Sequence, residues 1–281
     1  MDLSIDHVTV CGSNLEKMRR RFAEVGLHTT YGGRHANGVT HMDLLTFPDG
    51  SYIELIAPIN SLYGAKGMMS GWAKLMEENA GPGAWAARTD DIHAEVVRLR
   101  NAGIEVRGPE AGSRQRPDGA KLEWETAIVG PGPAGGVLPF LIEDKTPRGL
   151  RVPAPEQPSE IEGVAVVIIA AGDLKSSIAL FRRAYNFQPP ILEDHPEFGA
   201  AIAHFPGTPV MLAARTDENT WLGERIVHFG ECPAAFLLKI ADLSRAARTF
   251  ELKNRASWFT LEAAWFDPQQ LGGARLGLIG Q

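Results

Sequence analysis

Apolar and polar residues follow two periods in this chain, and the periods alternate. Ile5-Asp6-His7-Val8-Thr9-Val10 alternates as a strand does. Leu15, Met18, Phe22 and Val25 then recur at helical spacing after Asn14, a residue suited to an N-cap. Gly26 can take the left-handed conformation that stops a helix. Three β-like segments follow, Leu27 to Tyr31, Val39 to Phe47 and Ser51 to Ala57. The last two are joined by the turn-forming run Phe47-Pro48-Asp49-Gly50. The predicted unit is βαβββ.

The unit recurs. Asp91-Ile92 opens a second helix that stops at Gly103, with the spacing of the first copy. Asp173-Leu174 opens a third, with Ser176 to Tyr185 helical, and Asp242-Leu243 a fourth, with Ser244 to Lys253 helical. A β-like run precedes each of these two, Val164 to Ile169 and Ala235 to Ile240. Thr146 to Pro158 is rich in proline and cannot form a regular helix or a central strand. The expected organisation is an N-terminal domain at 1–146, with modules at about 3–58 and 83–145, a linker at 147–160, and a C-terminal domain at 161–281. The glycine- and methionine-rich segment Tyr63 to Gly81, with Trp72, is expected to form a short helix or lid between the first two modules.

Charge and composition narrow the function classes. The net charge of −6 leaves no basic footprint for nucleic acid or anionic membranes. Arg19-Arg20-Arg21 reads as a solvated helix face. No stretch approaches the roughly 20 apolar residues of a membrane span. The N-terminal Met1 to Asp6 enters a strand directly and lacks the pattern of a signal peptide. The two cysteines, Cys11 and Cys232, make no disulfide framework, so a reducing cytoplasm is the expected location.

The repeated βαβββ unit, the His7 strand and the motif Pro48-Asp49-Gly50-Ser51-Tyr52-Ile53-Glu54-Leu55-Ile56 resemble the vicinal oxygen chelate superfamily and its glyoxalase-like domain group. Gly32-Gly33-Arg34-His35 and Gly38-Val39-Thr40-His41 fit the same pattern, as do Trp85 to Asp91, Gly112 to Gly119 and Leu138 to Glu143. The resemblance covers residues 3–145 and reaches the second half only through the repeat. It implies an α+β fold of four βαβββ modules, arranged as two paired-module domains whose curved mixed sheets each enclose a cleft. It further implies a divalent metal (Zn, Fe, Mn or Ni) held by residues from both modules, which binds vicinal oxygens of a small molecule. The implied metal ligands are His7, Glu54 and Glu143, and Glu54 or Glu143 would move a proton. The second module departs from the pattern: the position matching His7 is Ala84, and the carboxylate position falls on Glu143 or, aligned by the preceding glycines, on Phe140.

Strand parity supplies an independent expectation. Ile5, His7 and Thr9 share one face of the first strand, and Tyr52, Glu54 and Ile56 one face of the fourth. In the third strand Met42 and Leu44 are expected toward the helices, which leaves His41 and Asp43 toward the cleft. If Phe47 and Gly50 close a two-residue loop, Asp43 lies opposite Glu54, and a one-residue shift reverses the match. His41 is thus a candidate substrate contact or third ligand, while His35, after a glycine turn, reads as a loop residue. Arg114 and Arg116 on one turn are candidate grips for a carboxylate or phosphate, and Trp124 a candidate pocket wall. The third and fourth modules offer no ligand set.

Three functions follow from this reading. The first is a metal-dependent lyase or isomerase for a small oxygenated metabolite, the second a metal-free binding or resistance protein. The third is an extradiol-type dioxygenase that would need His41 as a second histidine. The expected partner is a small molecule, in a monomer or homodimer.

Overall fold

The computed structural model describes residues 3–60, 62, 68–155, 159–196, 198–252 and 254–280. Each of the four module helices starts on a side-chain cap. Asn14 accepts from Lys17 N at the head of α1 (Leu15–Glu24), and Asp91 from Ala94 N at the head of α3 (Ile92–Asn101). Asp173 accepts from Ser176 N for α5 (Leu174–Tyr185) and Asp242 from Arg245 N for α7 (Leu243–Thr249). Three further helices join modules: α2 (Met68–Glu77), α4 (Arg148–Arg151) and α6 (Trp221–Phe229). Helix α2 occupies most of the described part of the segment expected to be a helix or lid, and residues 63–67 lie outside the described residues.

The strands follow the predicted βαβββ order. The first module holds β1 (Ser4–Cys11), β2 (Thr30–His35), β3 (Thr40–Thr46) and β4 (Tyr52–Pro58). The second holds β5 (Gly81–Arg88), β6 (Val106–Gln115), β7 (Lys121–Val129) and β8 (Phe140–Asp144). In the C-terminal half, β9 (Ile161–Ala171), β10 (Ile191–His195), β11 (Ala200–His204) and β12 (Val210–Arg215) form the third module. The fourth is β13 (Pro233–Ile240), β14 (Asn254–Trp258), β15 (Leu261–Trp265) and β16 (Leu276–Gly280).

Modules pair through their first strands, β1 with β5 and β9 with β13, each pair antiparallel. The N-terminal sheet then closes into a barrel, β1-β4-β3-β2-β6-β7-β8-β5, because β2 meets β6 at Arg34↔Gln115 and His35↔Arg114. The C-terminal sheet, in the order β10-β11-β12-β9-β13-β16-β15-β14, stays open between β10 and β14. Outer strand faces and helices of both halves share one apolar core that includes Val8, Phe22, Trp85, Val167, Phe181 and Leu278. The inner faces carry their own clusters, around Trp72 and Phe140 in the barrel and around Phe198 and Trp258 in the open sheet.

Parity fails at two places, and each has a local cause. Asp6 is bulged out of the β1–β5 ladder, since Ile5 pairs with Ala87 and His7 with the very next residue, Ala86. Ile5 therefore joins the outer core instead of sharing the His7 face. The β3–β4 loop is three residues long: Phe47 N bonds Ser51 O, and Gly50 at φ +81° supplies the left-handed step. This places Leu44, not Asp43, opposite Glu54. Met42 consequently faces the cleft, while Asp43 lies outside and binds Arg19 Nε of α1 at 2.6 Å and Thr29 Oγ1 at 2.9 Å.

Candidate active site in the N-terminal barrel

The bulge at Asp6 brings two consecutive side chains together. His7 Nδ1 lies 2.6 Å from Asp6 Oδ1. Asp6 is fully buried, and burial alone would push its carboxyl up. The guanidinium of Arg151, the bond and charge of His7, and Arg148 outweigh burial and hold it far below the ordinary carboxylate range. An ionised carboxylate only accepts, so His7 Nδ1 bears a proton, and Nε2 faces the cavity side, 3.9 Å from Glu54 Oε2. The His7 ring stacks on Tyr52 at 4.7 Å and meets the edge of Phe140.

Glu54 is buried in β4 opposite Thr9 of β1. Thr9 Oγ1 donates to Oε2 at 3.1 Å, and His35 Nε2 lies 3.4 Å from Oε1. Burial would push the Glu54 carboxyl up, but His35, His7 and Thr9 together hold it below its usual value. His35 is thus the second imidazole at this carboxylate. It belongs to β2, not to a loop, and its Nδ1 is fixed 2.9 Å from Thr40 Oγ1. The alternation of β2, broken by two glycines, hid this in the sequence; its pairing with Arg114 at the barrel seam reveals it.

His7, His35 and Glu54 line a cavity of about 360 Å³ together with Arg114, Trp124 and Trp72. Arg114 is 3% exposed and gives its Nη atoms to the carbonyl oxygens of Gly32 and Arg151. Among the described residues it has no carboxylate at ion-pair distance, and burial pulls its pKa down. Helix α4, inside the expected linker, closes the floor. Arg151 Nη2 binds Asp6 at 2.6 Å and Nη1 binds Tyr52 Oη at 2.9 Å; Arg148 also binds Asp6.

Three of the residues singled out from sequence stand elsewhere. His41 is half-buried against Tyr31, outside the cavity, because of the register set by the three-residue loop. Arg116 binds Leu150 O and Asp118 at the outer surface of the turn. Glu143 accepts from Ile92 N at 2.9 Å, at the N-terminus of α3, and pairs with Lys145. Its strand neighbour Ile142 lines the cavity instead.

The two modules of the barrel can be superposed by register. Thr9, two residues after His7, pairs with Glu54, and Ala86, two residues after Ala84, pairs with Phe140. Phe140, not Glu143, is therefore the counterpart of Glu54. A two-module metal set would need a ligand at Ala84 and at Phe140, and both side chains are apolar. Among the described residues no group of three or more His, Cys, Asp and Glu side chains has metal-holding geometry. The residues do not fit the implied two-module metal set.

A family model described as a glyoxalase-like domain matches residues 5–167, more than half of the chain. Comparison with curated proteins returned no match. Among solved structures, a hypothetical protein from Staphylococcus aureus is similar at 15% identity and a TM-score of 0.66, over 99% of this chain and 100% of that one. A mutant of 4-hydroxymandelate synthase from Streptomyces coelicolor is similar at 12% identity and a TM-score of 0.64, over 99% and 92%. Methylmalonyl-CoA epimerase from Mycobacterium tuberculosis aligns with 45% of this chain and 92% of its own, at 19% identity and a TM-score of 0.38. At these identities the two full-length matches speak for the fold alone. No helix among the described residues is long and apolar enough to cross a membrane. With its four βαβββ modules and the family match across the barrel, the chain belongs to the family of glyoxalase-like domains.

Proposed function

We propose that the N-terminal barrel is the active site of an isomerase or lyase that moves a proton on a small oxygenated acid. The observation that carries this reading is Glu54: a buried carboxylate, kept ionised by His35, His7 and Thr9, at the wall of a small-molecule cavity. Such a group is suited to take a proton from carbon next to a carbonyl. The electron pair left behind moves onto the carbonyl oxygen, and the resulting enolate is the anion that Arg114 lacks. Return of the proton to another carbon or face gives an isomer; loss of a leaving group gives an elimination product. His7, oriented by Asp6, and His35 hold Glu54 in position. Trp124 and Trp72 exclude water from the carbon frame. No step runs through a metal, since the donor positions of the second module are Ala84 and Phe140.

Solvent exchange tests this directly. In D2O containing EDTA, a panel of small 2-oxo and 2-hydroxy acids is followed by proton NMR for loss of the signal next to the carbonyl. The wild-type protein is expected to catalyse exchange in at least one of them, and Glu54→Gln to slow it at least about a hundredfold. Exchange that survives in Glu54→Gln overturns the role of Glu54. Exchange that disappears with EDTA and returns with one divalent ion per chain restores the metal-dependent reading. Saturable binding without exchange would make the barrel a binding module.

A further inference from the structure

The open C-terminal sheet has a cavity of its own, about 590 Å³, on its inner face. Its position follows from the repeat. Val166 precedes Leu174 by the interval that separates His7 from Leu15, and Ile168 pairs with Met211 as Thr9 pairs with Glu54. Val166 and Met211, the counterparts of His7 and Glu54, both line this cavity. It is therefore the same cleft, in the other half of the chain, with its polar pair replaced by apolar side chains.

The rest of the wall agrees with that change. Trp258, Phe259 and Ile279 border the cavity. Two of its charged groups cancel, since Lys239 Nζ lies 2.8 Å from Glu162. His204 stands in the wall against Phe259, and burial pulls its pKa down, toward the neutral ring. The lining thus offers apolar and aromatic surface with no unpaired fixed charge. The volume lies in the ordinary range for a small-molecule site, roughly 300–1,000 Å³. The gap between β10 and β14 leaves the sheet unsealed where the barrel is closed.

We propose that the C-terminal cavity is a second small-molecule site, selective for an uncharged aromatic compound. A charged ligand would have to leave water for a wall whose lysine and glutamate are already paired with each other, and a planar ring gains stacking surface on Trp258 and Phe259. This site has no proton-transfer group at the Val166 and Met211 positions, so it binds without turning over its ligand. The inference is independent of the reading of Glu54.

Methionine methyl groups report on the two cavities separately. Met211 lines the C-terminal one, and Met42 and Met68 line the barrel. The full chain, labelled with 13C at its methionine methyls and assigned through Met211→Leu, is titrated with 2-naphthol and then with 2-naphthoate. Expected is a saturable shift of the Met211 resonance with 2-naphthol, little shift of Met42 and Met68, and at least tenfold weaker binding of the carboxylate. Ala165→Phe, which fills the cavity from β9, should weaken 2-naphthol binding at least tenfold, while Glu54→Gln leaves it unchanged. A Met211 resonance that stays fixed at saturation, shifts confined to Met42 and Met68, or equal affinity for 2-naphthoate would each overturn the proposal. The methyl readout on the wild-type protein decides the question even if the filled variant fails to fold.

Discussion

The two clefts have the same backbone and opposite chemistry. Both first strands carry a one-residue bulge at the same place: Asp6 is skipped in the ladder of β1 with β5, and Ala165 in that of β9 with β13. Both parallel pairs run in the same register. The barrel uses its bulge to press an aspartate against a histidine, while the open sheet places an alanine there, beside Val166. A bulge that re-aims a side chain is thus a property of the fold, and the chemistry depends on which residue occupies it. Burying Asp6, His7 and Glu54 requires Arg151, Arg148, Thr9 and His35 as partners. The C-terminal cleft needs none of these partners, and its side chains pack as a core.

The comparison breaks most sharply at Glu54. Glu54→Gln keeps shape and volume but cannot take a proton, so turnover in the exchange assay should fall about 10²–10⁴-fold. Circular dichroism and melting temperature should stay close to wild type, since Thr9 can still donate to the remaining carbonyl oxygen. An equal loss from a change at Met211 would contradict the assignment of chemistry to one half.

Next in size is Asp6. Asp6→Asn removes the carboxylate that Arg151, Arg148 and His7 share, and leaves buried cations short of a partner. Breaking a buried pair in this way costs about 3–5 kcal/mol, which denaturant unfolding would register. The same interaction predicts a pH dependence. The folded-state pKa of Asp6 lies below that of the unfolded chain, so its contribution is complete above the unfolded carboxylate value of about 3.9 and is lost as pH falls below it. Acid should therefore loosen the barrel before the open sheet. Broadening of the Met42 methyl signal before that of Met211 would show it, and the reverse order would refute it.

The converse substitution, Met211→Glu, gives the C-terminal cleft the residue of the barrel without its partners. We expect a loss of about 2–3 kcal/mol, because Ile168 cannot bond a carboxylate as Thr9 does and Val166 cannot face it with an imidazole as His7 does. A stable Met211→Glu protein would mean that water enters this cleft freely, and the apolar selectivity argued for it would fall with that result.

The reach of the sequence differed between elements for physical reasons. The starts of the four module helices were legible because caps are local chemistry: Asn14, Asp91, Asp173 and Asp242 each bond a backbone N–H within the next three residues. The fourth helix, expected to run to Lys253, ends at Thr249, where no glycine marks the stop. His7 and Glu54 were legible as neighbours because both lie on strands of the first module. Arg148 and Arg151 were not, since a short helix in a proline-rich segment gives no sign that its side chains reach Asp6, over 140 residues earlier. Glu143 and Phe140 could be told apart only by the parallel register of β5 with β8. The exchange of His41 for His35 turned on a single loop residue.

That exchange supports the finest prediction. A two-residue β3–β4 loop would turn His41 into the cleft; the three-residue loop turns it out, and the barrel seam brings His35 to Glu54 instead. His35→Gln should slow exchange about tenfold, through weaker support of the Glu54 carboxylate, and should move the acid limb of the rate profile to higher pH, since the His35 bond and charge hold that carboxyl down. His41→Gln should change stability by less than about 0.5 kcal/mol, the range of a partly exposed site with no buried partner to lose, and leave the rate profile where it was. Only a register in which Leu44 faces Glu54 yields this pair of results; with Asp43 opposite Glu54, the two histidines would trade roles.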